Sequence, residues 1–158
     1  MGYRSALYTG SITRPSDTNA YVATDLVAND TTAGNVTPFT VKWEGQALRG
    51  VSLRRVCLKH SKATVTNSSF KIWFLDTAPT MTNGDNGTIA GPALATILGI
   101  VTVDVDNLVT GAGASGEAYF REGQIFLPPT SYALIEANAA YTPASAEVFT
   151  LELRGDPY

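Results

Sequence analysis

Apolar side chains recurring at every second residue constrain this chain more than any other feature. Near the C-terminus Phe149, Leu151 and Leu153 alternate with Val148, Thr150, Glu152 and Arg154. Successive side chains of an extended backbone point to opposite faces, so a period of two marks a half-buried strand. Phe70, Ile72 and Phe74 share one face of a second strand, and Lys71, Trp73 and Leu75 the other, which predicts a strand covered on both sides. Across Thr96 to Val105, Ile97, Val101, Val103 and Val105 fall together; the β-branched content favours strand, although Ala93 to Leu98 alone could start a helix. Ser131 to Glu136, Ala118 to Phe120 and Gln124 to Leu127 are shorter strand candidates, the last two joined by Arg121-Glu-Gly123 as a three-residue hairpin loop.

Between Val51 and Lys59 the apolar phase changes, since Val51 and Leu53 share a face opposite to that of Val56 and Leu58. A bulge near Arg54 and Arg55 reconciles them. Asn83-Gly84, Asn86-Gly87, Gly111-Ala-Gly113 and Pro128-Pro129 supply turn chemistry between the apolar runs. Seven or eight short strands with this punctuation predict an all-β fold, an antiparallel β-sandwich of jelly-roll type, with a barrel as runner-up. The opening residues are polar with isolated Tyr3 and Tyr8, so residues 1–18 read as an extended N-terminal arm ahead of a single domain over 19–158.

Composition narrows the function. A chain of 158 residues can bury one self-sufficient core, roughly 68% of the surface it exposes when unfolded. It is 44% hydrophobic and 16% charged, neither disordered nor a charged coiled coil. A net charge of -3 offers no broad attraction for polyphosphate, so a nucleic-acid partner is not expected. One His and one Cys leave no zinc ligand set and no intrachain disulfide, and no cofactor is expected. The run Leu94 to Val105 is interrupted by Thr96, Gly99, Thr102 and Asp104, which argues against a membrane span. Met1 to Pro15 lacks the apolar core of a secretory signal, so synthesis in a cytoplasm is expected, and the Asn29, Asn35, Asn67 and Asn86 glycosylation patterns read as turns.

Catalytic constellations are weak. Cys57 and His60 lie three apart, and on a strand they project to opposite faces, against a nucleophile–base pair. No Gly-x-Ser-x-Gly elbow is present. Asp104 and Asp106 would share a face, as paired glycosidase carboxylates do, or simply mark a strand end. Asn83 to Gly87 with Asp76 is rich in oxygen ligands, but the twelfth position from Asn83 is Leu94 where a calcium loop needs Glu, so a turn is the better reading. Gly-rich Thr110 to Gly116 lacks the Lys-Ser/Thr ending of a phosphate loop. Interface chemistry is better represented. Arg54 and Arg55 are secondary anion-contact or interface candidates, set against a bulged strand edge, and Trp43 is a candidate sugar platform, set against ordinary packing.

Ser11 to Tyr21, Asp25-Leu-Val-Ala28, Trp73-Phe-Leu-Asp-Thr-Ala-Pro79, Asn83 to Gly87, Tyr132 to Ala137, Ala140 to Ser145 and Phe149-Thr-Leu-Glu152 together resemble small structural proteins of tailed bacteriophages. The resemblance spans most of the chain, and none of its motifs is catalytic. It implies a head decoration, or cement, protein: a non-enzymatic jelly roll bound outside the shell of the major capsid protein, on the exterior of the virion head. Many equivalent weak contacts on such a shell act through multivalency. A homodimer or homotrimer would account for a strand apolar on both faces, such as 70–75. The arm, with Tyr3, Arg4, Tyr8 and Arg14, is the expected capsid contact. The rival reading is a carbohydrate- or receptor-binding β-sandwich module of a phage fibre, with Trp43 and tyrosines stacking on sugars; a glycan hydrolase using Asp104 or Asp106 comes third.

Overall fold

A computed structural model describes residues 5–43, 49–62, 68–90, 96–105, 113–121 and 124–157. The described chain forms ten strands: β1 (Ala6–Thr13), β2 (Leu26–Val27), β3 (Phe39–Lys42), β4 (Val51–His60), β5 (Ser68–Leu75), β6 (Ile97–Val105), β7 (Ala114–Tyr119), β8 (Phe126–Leu127), β9 (Thr130–Ala137) and β10 (Val148–Pro157), with one 3-10 turn at Ala33–Asn35. They make two sheets. Sheet I runs β1-β10-β4-β7 with β8 also on β4, and sheet II runs β2-β9-β5-β6 with β3 also on β9. All pairings are antiparallel.

Two of the edges are single strands interrupted by excursions. Leu26 and Val27 oppose Glu136 and Ile135, and after residues 28–38 the chain returns to the same neighbour, with Phe39 to Lys42 opposing Ala133 to Thr130. In the same way β7 and β8 both lie along β4, at Arg55–His60 and then at Val51–Ser52. Ten segments therefore occupy eight strand positions. The hairpin expected around Arg121 does not form, because the segments on either side of it pair with β4 and not with each other.

The inward faces of the two sheets share one core. Val56 and Leu58 of β4 and Leu151 and Leu153 of β10 meet Phe70, Ile72 and Phe74 of β5 and Ile135 of β9. Phe70 and Phe149 pack edge to face across the layers with centroids 5.4 Å apart. Burying each such side chain stabilises by about 1.5–3 kcal/mol.

The bulge falls where the change of phase places it. Arg154 opposes Arg55 and Gly155 opposes Leu53, so Arg54 is the extra residue, and Val51 and Leu53 turn inward with Val56 and Leu58. Gly155 suits this crowded point: a Cβ there would lie 2.2 Å from Val51 and 2.5 Å from the Ser52 carbonyl oxygen. The bulge does not sit at a sheet edge, since β4 has neighbours on both sides.

Two other expectations are corrected. Residues 6–13 are not a detached arm, because β1 pairs along its whole length with β10, from Ala6 opposite Gly155 to Thr13 opposite Val148. Thr9, Ser11 and Thr13 face out while Tyr8 and Ile12 pack on the core, so one polar face disguises an edge strand. The second apolar face of residues 70–75 is covered by this chain's own segments. Leu75 and Leu134 form a smaller core with Leu26, Ala28 and Met81, and Trp73, Tyr132, Val36 and Ile89 pack around it. No second subunit is needed to explain that face.

Candidate functional site

Two features stand out: a buried polar clamp at one end of the sheets, and the open outer face of sheet I. The clamp starts at Arg14, just past β1, where its backbone N–H extends the ladder by donating to the Glu147 carbonyl at 3.0 Å. Its guanidinium is fully buried. It donates to both carboxylate neighbours, to Asp85 at 2.9 Å and Asp17 at 3.0 Å, to the Tyr21 hydroxyl at 2.8 Å, and to the Asp17 carbonyl at 2.6 Å. Tyr21 in turn donates to Asp85 at 2.6 Å, and the Ala28 N–H donates to the same oxygen at 2.8 Å. Asp85 reaches this point because the Asn83–Gly87 turn is pressed onto the chain near Thr31: a Cβ on Gly84 would stand 2.0 Å from the Thr31 carbonyl oxygen.

A second ionic group lies beside the first. Tyr21 and Tyr141 pair as an isolated bridge and stack with centroids 6.4 Å apart. The Tyr141 hydroxyl donates to Glu147 at 2.6 Å, the His60 Nδ1 lies 2.8 Å from the same oxygen, and the Ala144 N–H donates to the other at 2.9 Å. Burial pushes both tyrosine hydroxyls well above their ordinary range, with the neighbouring carboxylates reinforcing it, so they serve as donors. Desolvation raises the Glu147 carboxyl, but the His60, Tyr141 and Ala144 hydrogen bonds outweigh it and hold the group below its usual value. Desolvation also dominates at Asp85 and raises it against the pull of its donors. Both carboxylates thus spend their oxygens on internal donors. Chemically the arrangement ties three loops together, a structural clasp.

The outer face of sheet I is different. Leu7, Arg154, Arg55 and Tyr119 stand in one row across four strands, about 14 Å from end to end. Phe126 lies on the same side, opposite Ser52. Leu7 is 50%, Tyr119 72% and Phe126 44% exposed. The arginines are held by carboxylates: Arg55 bonds Glu117 and Arg54 bonds Asp156 at 2.5 Å. The Arg55 hydrogen bond, reinforced by that from Tyr119, lowers Glu117 to about 2. Lys59 bonds Glu152 beside them, and Cys57 lies beneath this layer, 1% exposed.

The structure thus redistributes the residues singled out from sequence. Arg14 is a buried clamp residue, so it is corrected as a capsid contact; its five donors find partners inside the fold, the fifth at the Ala144 carbonyl. Tyr8 is half-buried against the core and folds over Gly10, and its hydroxyl is raised by that burial. Tyr3 and Arg4 lie outside the described residues. Trp43 belongs to the core, 8% exposed, and presents no stacking platform. Arg54 and Arg55 do belong to the open face. Asp104 accepts from Ser69 at 2.6 Å, and Asp106 lies outside the described residues. Asp85 of the oxygen-rich turn points inward, and no group of three or more His, Cys, Asp or Glu converges among the described residues. Sequence reasoning missed Asp85, Glu147 and the Tyr21–Tyr141 stack as one system. The available signal was an isolated tyrosine in each of two polar, Pro-containing loops, hard to explain as surface.

No protein-family model matches the chain, and no curated protein matches it.

Proposed function

We propose that this chain is a head decoration protein of the tailed-bacteriophage kind, a non-enzymatic structural protein that binds the outside of a capsid shell and stabilises it. The observation that carries this reading is the asymmetry between the two outer faces. The chain's own segments roof the outer face of sheet II around Leu75, Leu134 and Trp73, leaving Ile100 exposed toward the β6 edge, whereas sheet I displays Leu7, Tyr119 and Phe126 among Arg54, Arg55 and Arg154. Aromatic and arginine side chains together are the composition favoured at protein interfaces, where a few anchors carry most of the binding energy. The strand orders β1-β10-β4-β7 and β2/β3-β9-β5-β6 support reading the fold as a jelly roll, an architecture used by viral capsid and lectin domains. Fold alone names no function. The open face and the resemblance to phage structural proteins favour the capsid over a glycan, and the burial of Trp43 leaves that ring no exposed face for a sugar.

The direct test adds purified protein to heads of the tailed phage that carries it, stripped of this component. Sedimentation should show saturable binding at a fixed ratio, with a raised temperature of head disruption. Binding that never saturates, or that leaves head stability unchanged, would overturn the reading.

A further inference from the structure

Of the sheet edges, three carry features that discourage pairing with another chain. β2 and β3 are two and four residues long, separated by an excursion, and β3 ends on Lys42. β7 and β8 are likewise interrupted, and β7 presents Glu117. β6 carries Asp104 and an irregular register against β5 near Gly99. Short strands, breaks, bulges and charges are how sheets protect their edges. β1 has none of these: Ala-Leu-Tyr-Thr-Gly-Ser-Ile-Thr is eight residues in unbroken register, with no charge and no proline.

The ladder shows which backbone groups this edge offers. Arg14 N–H donates to the Glu147 carbonyl just past the last paired residues, which sets the phase of the ladder and puts the bonded pairs at Ile12, Gly10, Tyr8 and Ala6. The Ser61 N–H donates to the Val148 carbonyl at 3.0 Å, which turns Val148 toward β4 and agrees with a non-bonded pair between Val148 and Thr13. The N–H and C=O groups of Leu7, Thr9, Ser11 and Thr13 therefore point away from β10. Among the described residues no backbone group takes them.

We propose that this edge pairs with the same edge of a second copy of the chain, antiparallel about a two-fold axis at Gly10, so that the two copies of sheet I join into one continuous sheet. In that register Leu7 bonds with Thr13 and Thr9 with Ser11 of the second copy, so all four residues with outward backbone groups find partners. Gly10 meets Gly10 of the second copy in a non-bonded pair, where strands bring Cα atoms to about 4.5 Å and small residues suit best. Tyr8 then lies opposite Ile12, an aromatic–β-branched pair, and Thr9 opposite Ser11, a hydroxyl pair; both are favourable across strands. An uncharged strand lets the copies meet without like charges opposed. The contact is isologous and closes at two. It is independent of the capsid reading, and its test needs no capsid.

Sedimentation equilibrium of the full chain should give twice the monomer mass. Thr9→Pro removes an outward N–H without removing a β10 bond, and should halve the mass while leaving the circular dichroism spectrum intact. Thr9→Lys/Ser11→Lys changes only exposed side chains, opposes like charges across the axis, and should also give monomer should the proline variant fail to fold. An equal mixture of Thr9→Cys and Ser11→Cys, mildly oxidised, should yield a disulfide-linked heterodimer. A monomeric or trimeric native chain, a Lys/Lys variant that stays dimeric, or no heterodimer on mixing would overturn the proposal.

Discussion

Tyr21 and Tyr141 lie face to face, 7° from parallel, and each delivers its hydroxyl to a different buried carboxylate, Asp85 and Glu147. The stack thereby places two ionic groups, one anchored on Arg14 and one on His60, side by side. Both tyrosines come from loops, and their mutual backbone bridge fixes the spacing between them.

Breaking the first group from one side leaves a buried charge without its counter-ion. Arg14→Met is expected to destabilise the fold by about 3–5 kcal/mol in a urea titration. Arg14→Met/Asp85→Leu should cost less than the sum of the two single changes, because no charge is then stranded. Strict additivity would contradict the pairing of Arg14 with Asp85.

The second group makes stability depend on acid. Glu147 is held below its ordinary value in the fold, so its contribution is fully present above the unfolded pKa of about 4.3 and is lost as pH falls through the lower folded value. The melting temperature of the native chain should drop across that window. Glu147→Gln should start lower and show a flatter dependence there; parallel curves for the two proteins would refute the assignment.

Gly84 tests the turn that carries Asp85 inward. Gly84→Ala drives a methyl group into the Thr31 backbone, which has no flexible end to move aside. A loss of about 1–3 kcal/mol or more is expected, larger than for alanine at Gly34, where nothing lies within 4 Å. Comparing the two denaturation midpoints separates steric crowding from a general effect of replacing glycine.

Tyr119 tests the open face. Because its ring is mostly exposed, Tyr119→Ala should leave the melting temperature nearly unchanged, within about 0.5 kcal/mol of stability. Head binding measured by sedimentation should weaken at least tenfold if this ring is an anchor, about 1.4 kcal/mol. Undiminished binding with Tyr119→Ala and Phe126→Ala combined would move the contact to another surface.

The strands were legible because alternation is a local signal. β5, β6, β9 and β10 follow their apolar registers, and the Arg54 bulge could be located from a change of phase alone. β1 escaped because its inward face is Tyr8, Gly10 and Ile12, too sparse to stand out among threonines and serines. The second face of 70–75 was read correctly as covered. What covers it, Met81 and Ile89 from one excursion and Val36 from another, depends on how separate loops fold back. Arg14 was misplaced for a related reason: an isolated arginine in a polar stretch looks solvated, and its counter-ion Asp85 is 71 residues away. Buried ion pairs between distant loops leave no periodic trace.

Cys57, the single thiol of the chain, has a last consequence. It is sealed on the sheet I side beneath Arg55, Lys59, Glu117 and Glu152, and burial raises its pKa above the usual thiol range. A thiol reagent can reach it only when that charged thatch lifts, so its labelling rate clocks the breathing of the sheet. The same seal slows Cys57 toward thiol reagents, so a fluorophore or spin label attached in a brief reaction through one engineered surface cysteine would report chiefly from that position.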